Sequence, residues 1–284
     1  MTDLQGHIFI IGSPRSGTSV LHWSLCRSPQ LWGRGESMFL VDLAQAVPKA
    51  WERGQADFDD AWLAAENVDR SEFFQAAGRG ITELVRSRAG DARWVDQTPA
   101  YTHVAGELAE IFPDSRFLAI FRDGRQAIPS IQKLRKVSFS WAAAIWSQSC
   151  RLALDCMANI PERCLPVCYE ALVLEPEDTL REIFEFLEEP FCEDSALQIT
   201  DSKPINSSFE NEDRLAKLQP RWTDWNWLQR RQFKRHSKGM LERLGYEADG
   251  GWRRRVPKGR LEESEIRETI ARVRTRLESE RRGS

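Results

Sequence analysis

An uninterrupted apolar run, HIFIIG at 7–12, empties directly into a turn that reads Gly12-Ser-Pro-Arg-Ser-Gly17-Thr18-Ser19. A helical stretch follows, from Thr18 to about Arg27. This junction constrains the fold more than any other feature. A short continuous apolar run is what a strand buried on both faces requires, and such strands belong to parallel sheets covered by helices. The turn has the GxxxxG spacing of a P-loop and sits between a strand and a helix, the context that motif needs. Backbone N–H groups of such a loop, with the positive end of the helix, wrap around phosphate oxygens. Gly17 permits close backbone approach. The plainer alternative is an ordinary strand-to-helix turn, many of which contain Gly and Ser.

The loop departs from the nucleotide-hydrolase pattern in one informative way. A Walker loop carries Lys after its second Gly, where it reaches the outer phosphates beside magnesium. Here that position is Thr18, and the cation stands inside the loop at Arg15. A guanidinium offers a planar fork of donors that suits phosphate or sulfate oxygens and needs no metal. A donor whose transferred group carries less charge than a γ-phosphate fits this loop, and a sulfuryl group meets that description.

The rest of the chain alternates in the same style. RWVD (93–96), RFLAIF (116–121) and LPVCY (165–169) read as further strands. Residues 101–112 are amphipathic and stop before Pro113, and helix-like segments follow at about 124–135 and 139–159. Pro176 opens PEDTLREIFEFLEE, with acidic residues in the first turn, where the helix dipole favours them. The expected fold class is α/β: a P-loop NTPase-like parallel sheet flanked by helices, with helical insertions. We expect residues 1–260 to form this domain and 261–284 to add a charged C-terminal helix to it. In that tail Ile266, Ile270, Val273 and Leu277 form one narrow apolar stripe. The stripe would lie on the domain; a dimer-forming coil is the sharper alternative, so a homodimer stays open.

Composition narrows the class by exclusion. The chain has 284 residues and a formal net charge of −3, so no general field draws it to nucleic acid or an anionic membrane. Any anion site is therefore local. No stretch approaches the length of a membrane span. The N-terminus has no basic n-region, and the expected location is cytoplasmic. The six cysteines form no CxxC and no metal-like cluster with the four histidines, so they are expected as reduced, mostly buried thiols with no metal bound.

A second basic element follows the strand 116–121. Arg122-Asp-Gly-Arg125 would stand at the carboxyl end of a buried strand, the edge where open α/β sheets hold ligands. Ser130, eight residues after Arg122, would lie on the same side of the next helix. At this point the sequence resembles the sulfotransferases that use 3′-phosphoadenosine 5′-phosphosulfate (PAPS) and release PAP. SPRSGTS (13–19) is similar to that family's 5′-phosphosulfate loop, and FRDGRQAIPS (121–130) to its 3′-phosphate element. CYEALVLEPEDTLREIFEFLEEPF (168–191) resembles its later strand–helix block. The motif order covers residues 7 to 246 and is nearest the branch with the tyrosylprotein sulfotransferases and their bacterial relatives, where a Glu-containing segment, here GRGESM (33–38), follows the loop helix.

The resemblance implies that Arg15, Ser16, Gly17, Thr18 and Ser19 hold the 5′-phosphosulfate, and Arg122 and Ser130 the 3′-phosphate. It implies Glu36 as general base, Tyr169 near the donor, and Ser207 and Ser208 of the segment Asn206-Ser207-Ser208 reaching the donor from the C-terminal side. His103 is the runner-up base. One position departs: the family usually has Lys where Asp96-Gln97-Thr98-Pro99 places Gln97. An amide donates a hydrogen bond but brings no charge, so Arg15 must carry the leaving group alone or catalysis is altered. Trp141 with Trp146, and Trp222, Trp225 and Trp227, are candidates for walls of a flat acceptor pocket, with core packing the simpler role for the first two. The expected activity is transfer of a sulfuryl group to a hydroxyl or amine, on a small aromatic or hydroxylated acceptor rather than a protein, with no metal required. A P-loop kinase or NTPase, and a PAP-binding protein that has lost catalysis, are the alternatives.

Overall fold

The computed structural model of the protein describes residues 6–55, 61–201, 218–219, 225–237, 239–246 and 263–283. The chain opens with β1 (Ile8–Gly12) and α1 (Thr18–Leu25), then a short β2 (Leu31–Trp32). Three helices follow as an insertion: α2 (Phe39–Gly54), α3 (Trp62–Ala65) and α4 (Arg70–Ala89). Next come β3 (Arg93–Gln97), a 3-10 turn (Pro99–His103), α5 (Ala105–Ile111) and β4 (Arg116–Phe121). Helices α6 (Gly124–Arg135) and α7 (Phe139–Asn159) lead to β5 (Cys164–Cys168). After it lie α8 (Tyr169–Leu174), α9 (Pro176–Leu187), α10 (Glu193–Asp201), α11 (Trp227–Ser237), α12 (Met240–Arg243) and α13 (Glu263–Arg282).

The five strands form one sheet in the order β2-β3-β1-β4-β5, and every pairing is parallel. This is the expected α/β architecture. Every residue of β1 and β3 is buried, which is why the sheet centre reads as apolar runs rather than as alternation. Phe9 anchors one face: its ring meets Trp94, Tyr101, Phe112 and Phe117 at centroid distances of 6.2, 5.5, 5.6 and 5.5 Å. Burying one such ring stabilises by roughly 2–3 kcal/mol. Pro166 is tolerated in β5 because that strand closes the sheet's edge, where a missing N–H costs no interior ladder bond.

Two expectations change in detail. The single helix expected over 101–112 is broken: a 3-10 turn ends at His103, and Val104, at φ −131 and ψ 22, separates it from α5. The break lets Tyr101 and Thr102 serve the loops above the sheet, as described below. The strand expected to reach Tyr169 ends at Cys168, and Tyr169 opens α8. The C-terminal stripe takes the plainer of its two readings. Ile266, Ile270, Val273 and Leu277 are all buried, and α13 packs on β5, α7 and α8. All six cysteines are free thiols, four of them buried.

Candidate active site

Because all strands are parallel, the residues that leave β1, β3, β4 and β5 emerge on one edge. That edge collects the P-loop, the 96–99 segment, Arg122 and Tyr169. Three of the four are tied to one another by direct contacts.

The loop is shaped by its own backbone. Arg15 adopts φ 67 and Gly17 φ 99, both left-handed. For the arginine this costs roughly 1–2 kcal/mol, a strain the surrounding contacts must offset. The Ser16 N–H closes a turn onto the Ser13 carbonyl at 3.1 Å. No side chain caps the N-terminus of α1, so its first amides are not claimed by a capping oxygen. The Ser16 hydroxyl is buried and makes no hydrogen bond among the described residues. A buried hydroxyl without a partner is costly unless a ligand completes it. Gly17 cannot be replaced: a Cβ there would stand 2.4 Å from Cδ2 of Tyr169.

Thr102 fastens the root of the loop. Its hydroxyl accepts from the Gly12 N–H at 2.9 Å and donates to the Gly12 carbonyl at 3.0 Å. One side chain thus satisfies both backbone groups at the point where β1 ends.

Arg15 and Arg122 converge. Arg15 Nε donates to Ser130 Oγ at 2.8 Å, and Arg122 Nη1 donates to the Arg15 carbonyl at 2.9 Å. The Arg122 guanidinium lies 4.1 Å from the centre of the Tyr169 ring and bonds Gln126 Oε1 at 3.2 Å. Burial first, and then the neighbouring Arg122 charge, push the Arg15 pKa down. Two guanidinium groups thus meet at the mouth of the loop. Ser130, expected on the same side as Arg122, bonds the P-loop arginine itself.

A polar cluster closes the other side of the edge. Asp96 is buried, and its carboxylate accepts from the Tyr101 hydroxyl at 3.1 Å and from the Thr98 hydroxyl at 3.4 Å. The same Tyr101 hydroxyl reaches the Ser37 carbonyl at 3.1 Å, and Thr98 Oγ1 accepts the Ser37 N–H at 3.0 Å. The residue after Glu36 is thus clamped at both its backbone groups. Burial pushes Asp96 up to about 6, with the Ser37, Tyr101 and Thr98 bonds pulling it back. Glu36 itself is exposed, and so is His103. Gln97 is buried, and its Oε1 makes no hydrogen bond among the described residues.

The aromatic groups divide. Trp146 is fully buried, and its indole N–H donates to the Arg122 carbonyl at 3.1 Å, while Trp141 is 61% exposed and does not pack in the core. Trp225 is buried against Phe139 at 4.7 Å, and Trp227 is exposed. Trp222, Asn206, Ser207 and Ser208 lie outside the described residues.

Several members of this edge were not singled out by sequence: Thr98, Tyr101, Thr102, Gln126 and Glu170. The polar pair Asp96 and Thr98, set where a buried strand ends, is the one sequence signal by which the cluster could have been found. Glu170 follows Tyr169 and is 3% exposed. Burial and then Asp123 push its carboxyl up, while the Asp123 N–H, Arg122 and Tyr246 pull it down.

Fold and edge together define a parallel α/β protein in which two arginines meet at the strand-to-helix loop of the central strand. A model of the sulfotransferase family matches residues 7–194, and the chain belongs to that family. Among curated relatives, protein-tyrosine sulfotransferase 2 of Gallus gallus is 30% identical over 193 residues, 63% of this chain and 50% of that protein. Protein-tyrosine sulfotransferase A of Caenorhabditis elegans is 29% identical over 65% of this chain and 50% of its own length. The chain therefore spans about half the length of these relatives. Among solved structures, the sulfotransferase domain of the Synechococcus PCC 7002 olefin synthase superposes with a TM-score of 0.52. That match is 20% identical and covers 95% of this chain and 93% of that one, so it speaks to the fold.

Proposed function

We propose that this chain transfers a sulfuryl group from PAPS to a phenolic hydroxyl. The observation that carries the reading is the convergence of Arg15, Arg122 and Ser130 on a P-loop with Thr18 in place of the Walker lysine. The residues fit a nucleotide with phosphate at both ends. The uncapped α1 terminus, the unpartnered Ser16 hydroxyl and Arg15 suit its 5′ end, with Gly17, Thr18 and Ser19 lining the turn. Arg122 and Ser130 suit its 3′-phosphate. Tyr169 backs both, through Gly17 and through the Arg122 guanidinium. When bound, such a donor supplies an activated sulfuryl group on a phosphate leaving group.

The protein's tasks are then positioning and charge stabilisation. Gln97 brings no charge to the end of β3, so stabilisation of the leaving phosphate falls to Arg15 and the loop amides. Glu36 takes the acceptor proton, held in place through Ser37. Among the described residues no group of three His, Cys, Asp or Glu side chains is arranged to hold a metal ion. Support for a phenol comes from the names of the curated relatives and from Met38 and Phe39, which are 53% and 48% exposed just beyond Glu36.

Calorimetric titration with PAP and with ATP, each with and without magnesium, tests the donor. Tight, metal-independent binding of PAP over ATP is the expected outcome; preference for magnesium-ATP would replace the reading with a kinase or NTPase. Turnover of PAPS with a free phenol and with a tyrosine peptide then separates the two sources of the same hydroxyl. Binding of PAP with no turnover of either would mark a nucleotide-binding protein that has lost catalysis.

A further inference from the structure

The peptide unit that joins Arg122 to Asp123 is held at both ends by side chains from distant parts of the chain. Its carbonyl accepts from the Trp146 indole at 3.1 Å, and its N–H donates to Glu170 Oε1 at 3.1 Å. The other oxygen of Glu170 accepts from the Tyr246 hydroxyl at 2.9 Å and the Cys168 thiol at 3.4 Å. Asp123 cannot take over this task, because its own carboxylate is committed. It caps α6 through the Arg125 N–H at 2.8 Å and pairs with the Arg125 guanidinium at 2.6 Å.

We propose that Glu170 is a positioning residue for recognition of the donor's 3′-phosphate, acting by fixing the Arg122–Asp123 peptide plane. The inference rests on the reading that Arg122 and Ser130 receive that phosphate. Locking a peptide plane sets ψ of the residue before it and φ of the residue after it. Here it sets the direction in which Arg122 leaves β4 and the start of α6, which carries Gln126 and Ser130. Tyr169 and Glu170, adjacent in sequence, thus divide the work: one supports the Arg122 guanidinium from below, the other holds its root. A carboxylate buried among neutral donors is an expensive way to accept one backbone N–H, and its return is a guanidinium with one aim.

PAP and AMP differ only in the 3′-phosphate, so the ratio of their affinities isolates its recognition. The experiment is competitive titration of both nucleotides against wild type, Glu170→Ala and Glu170→Gln, with thermal unfolding in parallel. Wild type is expected to prefer PAP. Glu170→Ala should lower the PAP-to-AMP preference at least tenfold while AMP affinity stays within about twofold. Glu170→Gln keeps an oxygen for the Asp123 N–H and should restore the preference to within about threefold of wild type. Equal weakening of PAP and AMP, or an unchanged ratio, overturns the proposal and leaves Glu170 a structural residue. A wild type that does not distinguish PAP from AMP overturns the underlying 3′-phosphate reading, and the proposal with it. Should Glu170→Ala fail to fold, Tyr246→Phe removes one donor to Glu170 and keeps the ring. A folded Tyr246→Phe with an unaltered ratio overturns the proposal, and a fall of about threefold supports it.

Discussion

At the scale of single residues, the two arginines do different things despite touching. Arg15 sits in the loop, strained at φ 67 and bonded to Ser130. Arg122 is stacked on Tyr169 and bonded to Gln126. Each charge-assisted bond to a phosphate is worth about 1.5–3 kcal/mol. Arg15→Ala and Arg122→Ala should therefore each weaken PAP binding by about 10- to 100-fold in calorimetry. Arg122→Lys should recover little, since a lysine cannot both stack and fork. Glu36→Gln is expected to leave PAP affinity unchanged and lower kcat by about 10²- to 10⁴-fold, the range of a lost general base. Full activity in that variant would turn attention to Asp96, the buried carboxylate two hydrogen bonds away through Thr98 and Ser37. The positions of the loop and Arg122 at strand ends, and of Ser130 in the helix that follows, were legible in sequence because each belongs to a local motif. Their couplings were not: Arg15 and Ser130 are 115 positions apart, and Glu170 and Asp123 are 47 apart. No local periodicity encodes which distant hydroxyl or carboxylate will meet an arginine.

At the scale of elements, the strands β1, β4 and β5 could be read directly, because a buried parallel strand must be apolar throughout. The segment 101–112 misled for a physical reason. Its apolar spacing satisfies a helix, but Thr102 bonds the Gly12 backbone and Tyr101 reaches Asp96 and Ser37, and these bonds hold the first turn in 3-10 form. Tertiary contacts overrode the local pattern. The α13 stripe was visible as a stripe, yet its partner was not. Its burial on β5, α7 and α8 makes a clear forecast. Leu277 is 1% exposed, so Leu277→Asp buries an unpaired charge and should cost about 3 kcal/mol or more. Thermal unfolding should show the midpoint lowered by about 5 °C or more, whereas Glu278→Gln, on the more exposed side of the helix, should shift it by little.

At the scale of the whole molecule, buried histidines make stability depend on pH. His7 and His22 are both held down to about 4, chiefly by burial, with Arg93 and Arg86 adding to His7. Their unfolded values lie near 6.5. Between those limits the unfolded chain binds more protons, so the stability they contribute is present above about 6.5 and is lost as pH falls toward 4. Each is worth on the order of 3 kcal/mol across that window. Asp96 works in the opposite sense: raised to about 6, it binds its proton in the folded state first and adds stability as pH falls below about 6. The unfolding midpoint should therefore fall as pH drops through 6.5 toward 4, with Asp96 offsetting only part of the two histidines' effect below about 6. His22→Asn should flatten the upper part of that curve; an unchanged slope would mean that His22 is charged in the fold.

The strand order has a consequence for how such a protein can be altered. Central β1 acts as a watershed. On its β4 and β5 side stand Arg122, Ser130, Tyr169 and Glu170, all proposed for the nucleotide; on its β2 and β3 side stand Glu36, proposed as base, and the Asp96 and Thr98 cluster that holds Ser37 beside it. The two territories meet at the loop that caps the divide and at Gln97, which ends β3 beside it. On the proposed assignment, exchanging residues 33–39 between relatives should change the acceptor while PAP affinity, read by calorimetry, stays that of the parent.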